Sequence, residues 1–157
     1  MTILILIIAF ILDGIISLML TPNSILFPLF TLMSIIIVYK FKPSNLLYLI
    51  ICAITGLIYG ITYNSLLLDT GSFLLIGIFI IIIFQRMENN TLSIFIVSII
   101  VIIVYRILTY LISLLIGYKF NVYFLLQGLY SSLIINILYI FIVNLLVNKL
   151  NKKHNWF

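Results

Sequence analysis

The sequence predicts an all-α fold, a polytopic membrane protein with six transmembrane helices. Of its 157 residues, 66% are hydrophobic and only 7% are charged, whereas a soluble domain carries roughly a quarter charged residues. Several apolar runs reach the roughly 20 residues that cross the hydrocarbon core of a bilayer as a helix. Runs such as IGIFIIIIF, residues 76–84, do not alternate apolar and polar side chains, which argues against the strands of a membrane β-barrel.

Turn-forming residues divide the apolar sequence into spans. The segment TPNS, residues 21–24, ends the first span, and PSN, residues 43–45, precedes the third. The short second span contains Pro28, which is tolerated near a helix start because the missing N–H has no intrahelical partner there. The fourth span starts between Leu66 and Ser72, so Asp69 lies in its first turn or just outside. A single domain, residues 1–157, is predicted to hold the spans 3–20, 25–41, 46–63, 66–84, 92–116 and 123–147.

The positions of the positive charges predict that both termini are cytoplasmic. With six spans, one side of the membrane receives Lys40, Lys42, Arg86 and the three lysines of the tail, whereas the opposite side receives only Lys119. Loops rich in lysine and arginine stay in the cytoplasm. We therefore attribute the net charge of +5 to topology and to contact with lipid headgroups, and we expect no nucleic-acid partner.

Ionisable residues inside the predicted spans are candidate packing or partner-docking residues, because charge at membrane depth usually faces protein or water. Asp13 lies roughly 15 Å from the start of its span and Arg106 roughly 21 Å from the start of the fifth, so an Asp13–Arg106 ion pair is a hypothesis. Arg106 shares one helix face with Thr109, Tyr110 and Ser113. Such a pair could orient two helices, contact the membrane helix of a partner protein, or take part in transport.

Two further features predict close helix contacts. Gly56 and Gly60 have the spacing at which small residues let another helix approach closely. Asn136 lies near the middle of the sixth span, where an asparagine commonly forms a hydrogen bond with another helix. With Asp13 and Arg106, these residues complete the set of candidate packing or docking positions.

The sequence shows no constellation of residues for catalysis. The only histidine, His154, is in the polar tail, and the only cysteine, Cys52, is inside an apolar run. No metal-ligand cluster, nucleophilic triad or phosphate-binding glycine loop is apparent. We therefore expect neither enzymatic activity nor a bound metal or cofactor.

The segment GLIYGITYNSLL, residues 56–67, resembles the rod shape-determining protein MreD family of Gram-positive bacteria. The glycine at Gly56, the tyrosines at Tyr59 and Tyr63 and the polar pair that follows fit the family's pattern, although Gly60 stands where the family usually has aspartate. Similar features elsewhere are an acidic residue late in the first span, a proline opening the second, and LIINI, residues 133–137, in the last.

The resemblance implies a non-catalytic component of the cell-elongation machinery in the bacterial cell membrane. Such proteins associate with MreC, and through it with the elongation transpeptidase and the glycosyltransferase RodA. The resemblance also implies a six-helix architecture shared with the substrate-binding subunits of energy-coupling factor transporters. An alternative function is therefore a vitamin-type transporter subunit, for which polar residues near the outer face could line a pocket: Tyr63, Asn64, Asp69, Tyr110 and Tyr118.

Overall fold

The computed structural model describes residues 2–19, 28–62, 66–87, 90–115, 117 and 122–154. These residues form six α-helices and no β-strand, which confirms the predicted all-α class. The helices are α1 (Thr2–Met19), α2 (Phe30–Tyr39), α3 (Asn45–Thr62), α4 (Leu66–Phe84), α5 (Thr91–Leu115) and α6 (Val122–His154).

Most helix boundaries follow the apolar runs of the sequence. The helix α4 begins at Leu66, so Asp69 falls inside its first turn, which decides between the two placements that the sequence left open. The helix α6 continues past Val147, the end of the predicted membrane span, to His154. Helical backbone does not require an apolar face, so the helix extends into the polar tail where the apolar run stops.

The helices identify a membrane protein. Four of them, α1, α3, α5 and α6, contain stretches long and apolar enough to cross a bilayer. The helix α2 and the segment Asp69–Phe84 of α4 are also apolar but shorter. With ten residues, α2 is about 15 Å long, about half of the roughly 30 Å hydrocarbon core.

The short helix α2 occupies the centre of the bundle. Residues 30–38 are all buried, and α2 packs against each of the other five helices. A helix enclosed in this way has no lipid-facing side, which explains why its sequence is apolar all round. The other helices surround it, and α3 packs most extensively against α4.

Pro28 lies just before the second helix, near its start as predicted. Pro28 and Leu29 are buried but not helical, and α2 starts at Phe30. Side chains of other helices bond the backbone N–H groups at this point, as described below, so the helix can begin inside the bundle.

Short connections make successive helices antiparallel and gather positive charge at one end. Lys40 and Lys42 follow α2, Arg86 follows α4, and Lys149 lies in the last part of α6. We call this the basic end; α1, α3 and α5 begin there. Lys119, the cation predicted for the opposite side, lies outside the described residues.

Candidate functional site

The N-terminus of α2 is bonded by side chains from two other helices. The carboxyl group of Asp13 in α1 accepts hydrogen bonds from the backbone N–H of Phe30 at 2.8 Å and of Thr31 at 2.8 Å. The Thr31 hydroxyl donates a third bond to the same carboxyl group at 2.6 Å. The side-chain oxygen of Asn136 in α6 accepts the N–H of Leu29 at 2.7 Å.

These bonds meet a specific physical need. The first N–H groups of a helix have no intrahelical acceptor, and leaving such a group unpaired in a protein interior is costly. The partial positive charge at a helix N-terminus also favours an adjacent acidic group. Asp13 and Asn136 are both fully buried. Together they supply acceptors for N–H groups at the start of α2 that neither water nor lipid could bond.

The hypothesis of an Asp13–Arg106 ion pair was wrong. Among the described residues, the hydrogen bonds of Asp13 all lead to the start of α2. Arg106 instead donates from Nε to the hydroxyl of Ser132 in α6, at 3.2 Å. Depth along each helix could not reveal the backbone donors of a third helix.

A second buried carboxyl group joins α4 to α5. Asp69 is 3% exposed and accepts a hydrogen bond from the Tyr105 hydroxyl at 3.0 Å. The ring of Phe73, one turn after Asp69, packs edge-on against Tyr105 with centroids 6.4 Å apart. Sequence reasoning missed Tyr105, although a tyrosine beside an arginine in the middle of an apolar span was a visible signal.

Polar side chains on one face of α6 contact α2 along its length. At the N-terminal end of α2, the side-chain oxygen of Asn136 accepts a hydrogen bond from the backbone N–H of Leu29. Further along α2, the hydroxyls of Tyr139 and Ser34 form a hydrogen bond of 2.7 Å. At the basic end the Lys40 ammonium donates to the side-chain oxygens of Asn144, at 3.0 Å, and Asn148. The spacing of Asn136, Asn144 and Asn148 in multiples of four places them on one helix face, so this stripe could have been read from the sequence.

The glycines of α3 are buried inside the bundle, and Gly56 packs against α4. A Cβ added to Gly56 would lie 2.8 Å from Phe73 Cβ and 3.0 Å from the backbone Cα of Thr70, so only glycine fits this approach. Gly60 is buried one turn later. The small-residue spacing of Gly56 and Gly60 predicted either packing within the bundle or docking of a partner. At Gly56 the close approach is to α4, so this glycine serves packing.

A polar surface remains where α5 and α6 approach the end opposite the basic end. Arg106, Thr109 and Tyr110 of α5 are half-buried. On α6, Gln127 is exposed, and a Cβ added to Gly128 would meet nothing within 4 Å. We call these five residues the α5–α6 surface.

The residues expected to line a vitamin pocket are only partly described. Tyr63, Asn64 and Tyr118 lie outside the described residues, while Asp69 is buried against Tyr105 and Tyr110 is half-buried. Within the described residues, no three His, Cys, Asp or Glu side chains are grouped so that they could hold a metal ion.

Comparisons with known proteins found no relative. No model of a protein family, no curated protein and no solved structure matches this chain.

Proposed function

We propose that this chain is a non-catalytic, MreD-like component of the bacterial cell-elongation machinery. In this proposal all six helices count as membrane helices, and the basic end, with both termini, is cytoplasmic. The chain docks an MreC-like protein and, with it, the transpeptidase and glycosyltransferase that build the elongating wall. The observation that carries the proposal is that the polar α5–α6 surface stays partly exposed in the bundle, whereas Asp13, Asp69 and Asn136 are buried inside it.

The internal groups support a structural role. Asp13 and Asn136 accept hydrogen bonds from the backbone at the start of α2, and Tyr105 donates a hydrogen bond to Asp69. Each of these bonds joins two helices, which is what a rigid scaffold needs from the few polar residues it keeps in the membrane.

The α5–α6 surface supports a docking role. Arg106 is half-buried and lies about 13 Å from the end of α5, deep in the hydrocarbon region. Charge at such a depth costs roughly 2.5 to 3.5 kcal/mol on insertion scales and usually faces protein or water, so the part of Arg106 that is still exposed is better placed against a partner helix than against lipid. Gly128 leaves room for the backbone of another helix, and Gln127 can form a hydrogen bond across the contact.

The geometry also narrows the choice of docking face. The sequence left two faces open, the glycine face of α3 and the Arg106 face of α5. Because α4 fills the space beside Gly56, the Arg106 face is the better candidate for a partner's single membrane helix.

Crosslinking in cells tests the proposal. A photoreactive amino acid replaces Gln127 in the test variant. In the control variant it replaces Leu75 of α4, a side chain that is 53% exposed but lies outside the α5–α6 surface. The host is a Gram-positive rod whose own MreD is replaced by this chain. We expect restored rod shape, and crosslinks to the membrane helix of MreC from position 127 but not from position 75.

Round cells together with equal labelling from both positions would contradict the proposal. Purification provides an independent discriminator: a chain that retains a vitamin-like molecule would favour the transporter-subunit alternative, whereas a scaffold should carry none.

A further inference from the structure

A cleft opens between α1 and α3 on the surface of the bundle. Its volume is about 410 Å³, and Thr31 of the central helix α2 contributes to its lining. The walls are mainly aliphatic and include Ile7 of α1 and Ile54 and Ile58 of α3. These isoleucines are 53%, 53% and 46% exposed, so the cleft, which we call the α1–α3 cleft, faces the lipid.

The polar atoms of the cleft are bonded within the protein. The Thr31 hydroxyl donates to Asp13 at 2.6 Å, and the Thr55 hydroxyl donates to the carbonyl oxygen of Ile51 in its own helix at 2.7 Å. An occupant therefore meets methyl groups and finds no unused hydroxyl donor. This lining suits a hydrocarbon chain.

The cleft is shorter than one half of the membrane. Its lining residues run from Ile3 to Phe10 on α1 and from Ile51 to Ile58 on α3, a rise of about 10 Å on each helix. The ring of Phe10 meets Tyr59 of α3 edge-on, with centroids 6.4 Å apart, and bridges the two helices. The hydrocarbon core is roughly 30 Å thick, so an occupant of this length belongs to a single leaflet.

A partner helix fits the α1–α3 cleft poorly. The lining of the cleft extends over about 10 Å of α1, about a third of the length of a membrane-spanning helix. Membrane helices pack closely at small residues, but the cleft wall carries Ile54 and Ile58 while Gly56 is turned toward α4. A flexible chain conforms to such a wall, whereas a helix does not.

We propose that the α1–α3 cleft binds one hydrocarbon chain of a membrane phospholipid from the leaflet at the basic end. The chain covers Thr31 and thereby shields the Asp13 bonds behind it from water. This proposal does not depend on the proposed function, because it concerns a different face of the bundle.

The test uses proteoliposomes that contain a phospholipid with a photoreactive diazirine in the distal half of one chain. After irradiation, digestion and mass spectrometry locate the labelled residues. We expect labelling of the cleft residues on α1 and α3 to exceed, by several-fold, labelling of lipid-facing residues on α5. The variant Ile54→Trp fills the cleft and should lower the labelling several-fold. Leu57→Trp, one turn away, 43% exposed and outside the cleft, should leave it unchanged.

Two results would overturn the proposal. Labelling spread evenly over all lipid-facing helices, and insensitive to Ile54→Trp, would show ordinary boundary lipid only. Disulfide-linked dimers formed through Ile7→Cys, in a Cys52→Ala background and with no labelling of the cleft, would show that a second copy of the chain occupies it.

Discussion

Thr31 donates two hydrogen bonds to one carboxylate oxygen of Asp13, from its backbone N–H at 2.8 Å and from its hydroxyl at 2.6 Å. One residue of α1 thus fixes both the backbone and a side chain of the first turn of α2. Because α2 touches every other helix, this local contact bears on the stability of the whole bundle.

Replacing Asp13 should destabilise the protein strongly. In Asp13→Ala the N–H groups of Phe30 and Thr31 lose their acceptor inside the bundle, at about 1–3 kcal/mol for each buried group left unpaired. The free energy of unfolding, measured by denaturant titration in bicelles, should fall accordingly. Ser17→Ala is the control, because Ser17 lies one turn along α1 but is exposed; an equal loss in both variants would argue against the role assigned to Asp13.

Asp13 and Asn136 should be energetically coupled, since both bond the same helix terminus. A double-mutant cycle of Asp13→Ala and Asn136→Ala should give an interaction energy of about 0.5–3 kcal/mol, as found for residues that share a network. Asp13→Ala combined with Leu75→Ala, a lipid-facing change, serves as the reference and should be additive. Additivity in both cycles would mean that the two side chains act independently.

Gly56 should not tolerate even a methyl group. The Cβ of Gly56→Ala would lie 2.8 Å from Phe73 Cβ and 3.1 Å from the Asp69 carbonyl oxygen, so α3 and α4 must separate, at about 1–3 kcal/mol for an overpacked site. Gly71→Ala in α4 meets nothing within 4 Å and should be neutral or stabilising, because alanine favours helix. Thermal unfolding in detergent compares the two, and a lower midpoint for Gly71→Ala than for Gly56→Ala would refute the packing description.

Tyr105→Phe should lower stability modestly. It removes only the hydroxyl that donates to Asp69, and hydrogen bonds between membrane helices contribute about 0.6 kcal/mol on average and at most about 1.7 kcal/mol. Tyr130→Phe is the matched control, because Tyr130 is 67% exposed. The same unfolding titration measures both, and no difference between them would count against a stabilising Asp69–Tyr105 bond.

The thiol of Cys52 should be protected in the folded protein. Cys52 is fully buried, and its sulfur lies 2.8 Å from where a Cβ on Gly77 would stand, so a maleimide cannot reach it without separation of α3 and α4. Labelling should be slow in mild detergent and rapid after denaturation in SDS. Thr62→Cys in a Cys52→Ala background, at an exposed position, should react quickly in both conditions. Equal rates for Cys52 in the two conditions would show that the α3–α4 contact is open.

The sequence was sufficient for helices whose ends are set by local chemistry. Long apolar runs bounded by proline, asparagine and charge located α1, α3, α4 and α5 closely, because the bilayer itself demands such runs. The start of α2 could not be located in this way. It depends on Asp13 and Asn136, which are distant in sequence, and no local pattern reveals a cap supplied from another helix.

The candidate site was predicted in part for the same reason. Asn136 was expected to bond another helix, and its amide oxygen does accept the N–H of Leu29, the residue that opens α2. The partner proposed for Asp13 was wrong because its actual donors include backbone N–H groups, which nearly every residue carries and which no side-chain pattern marks. At Gly56 the spacing indicated close approach without saying which neighbour would approach.

The enclosure of α2 has a consequence for biosynthesis. Chains grow from the N-terminus, so Asp13 and α2 enter the membrane well before Asn136 and the rest of α6 exist. Asn136 follows Leu29 by 107 residues, and until it has been translated the first turn of α2 lacks one of the two side chains that bond it and part of the surrounding helices. A nascent chain arrested before α6 would therefore be an incomplete structure open to quality-control proteases, and the bundle closes only after α6 has been made.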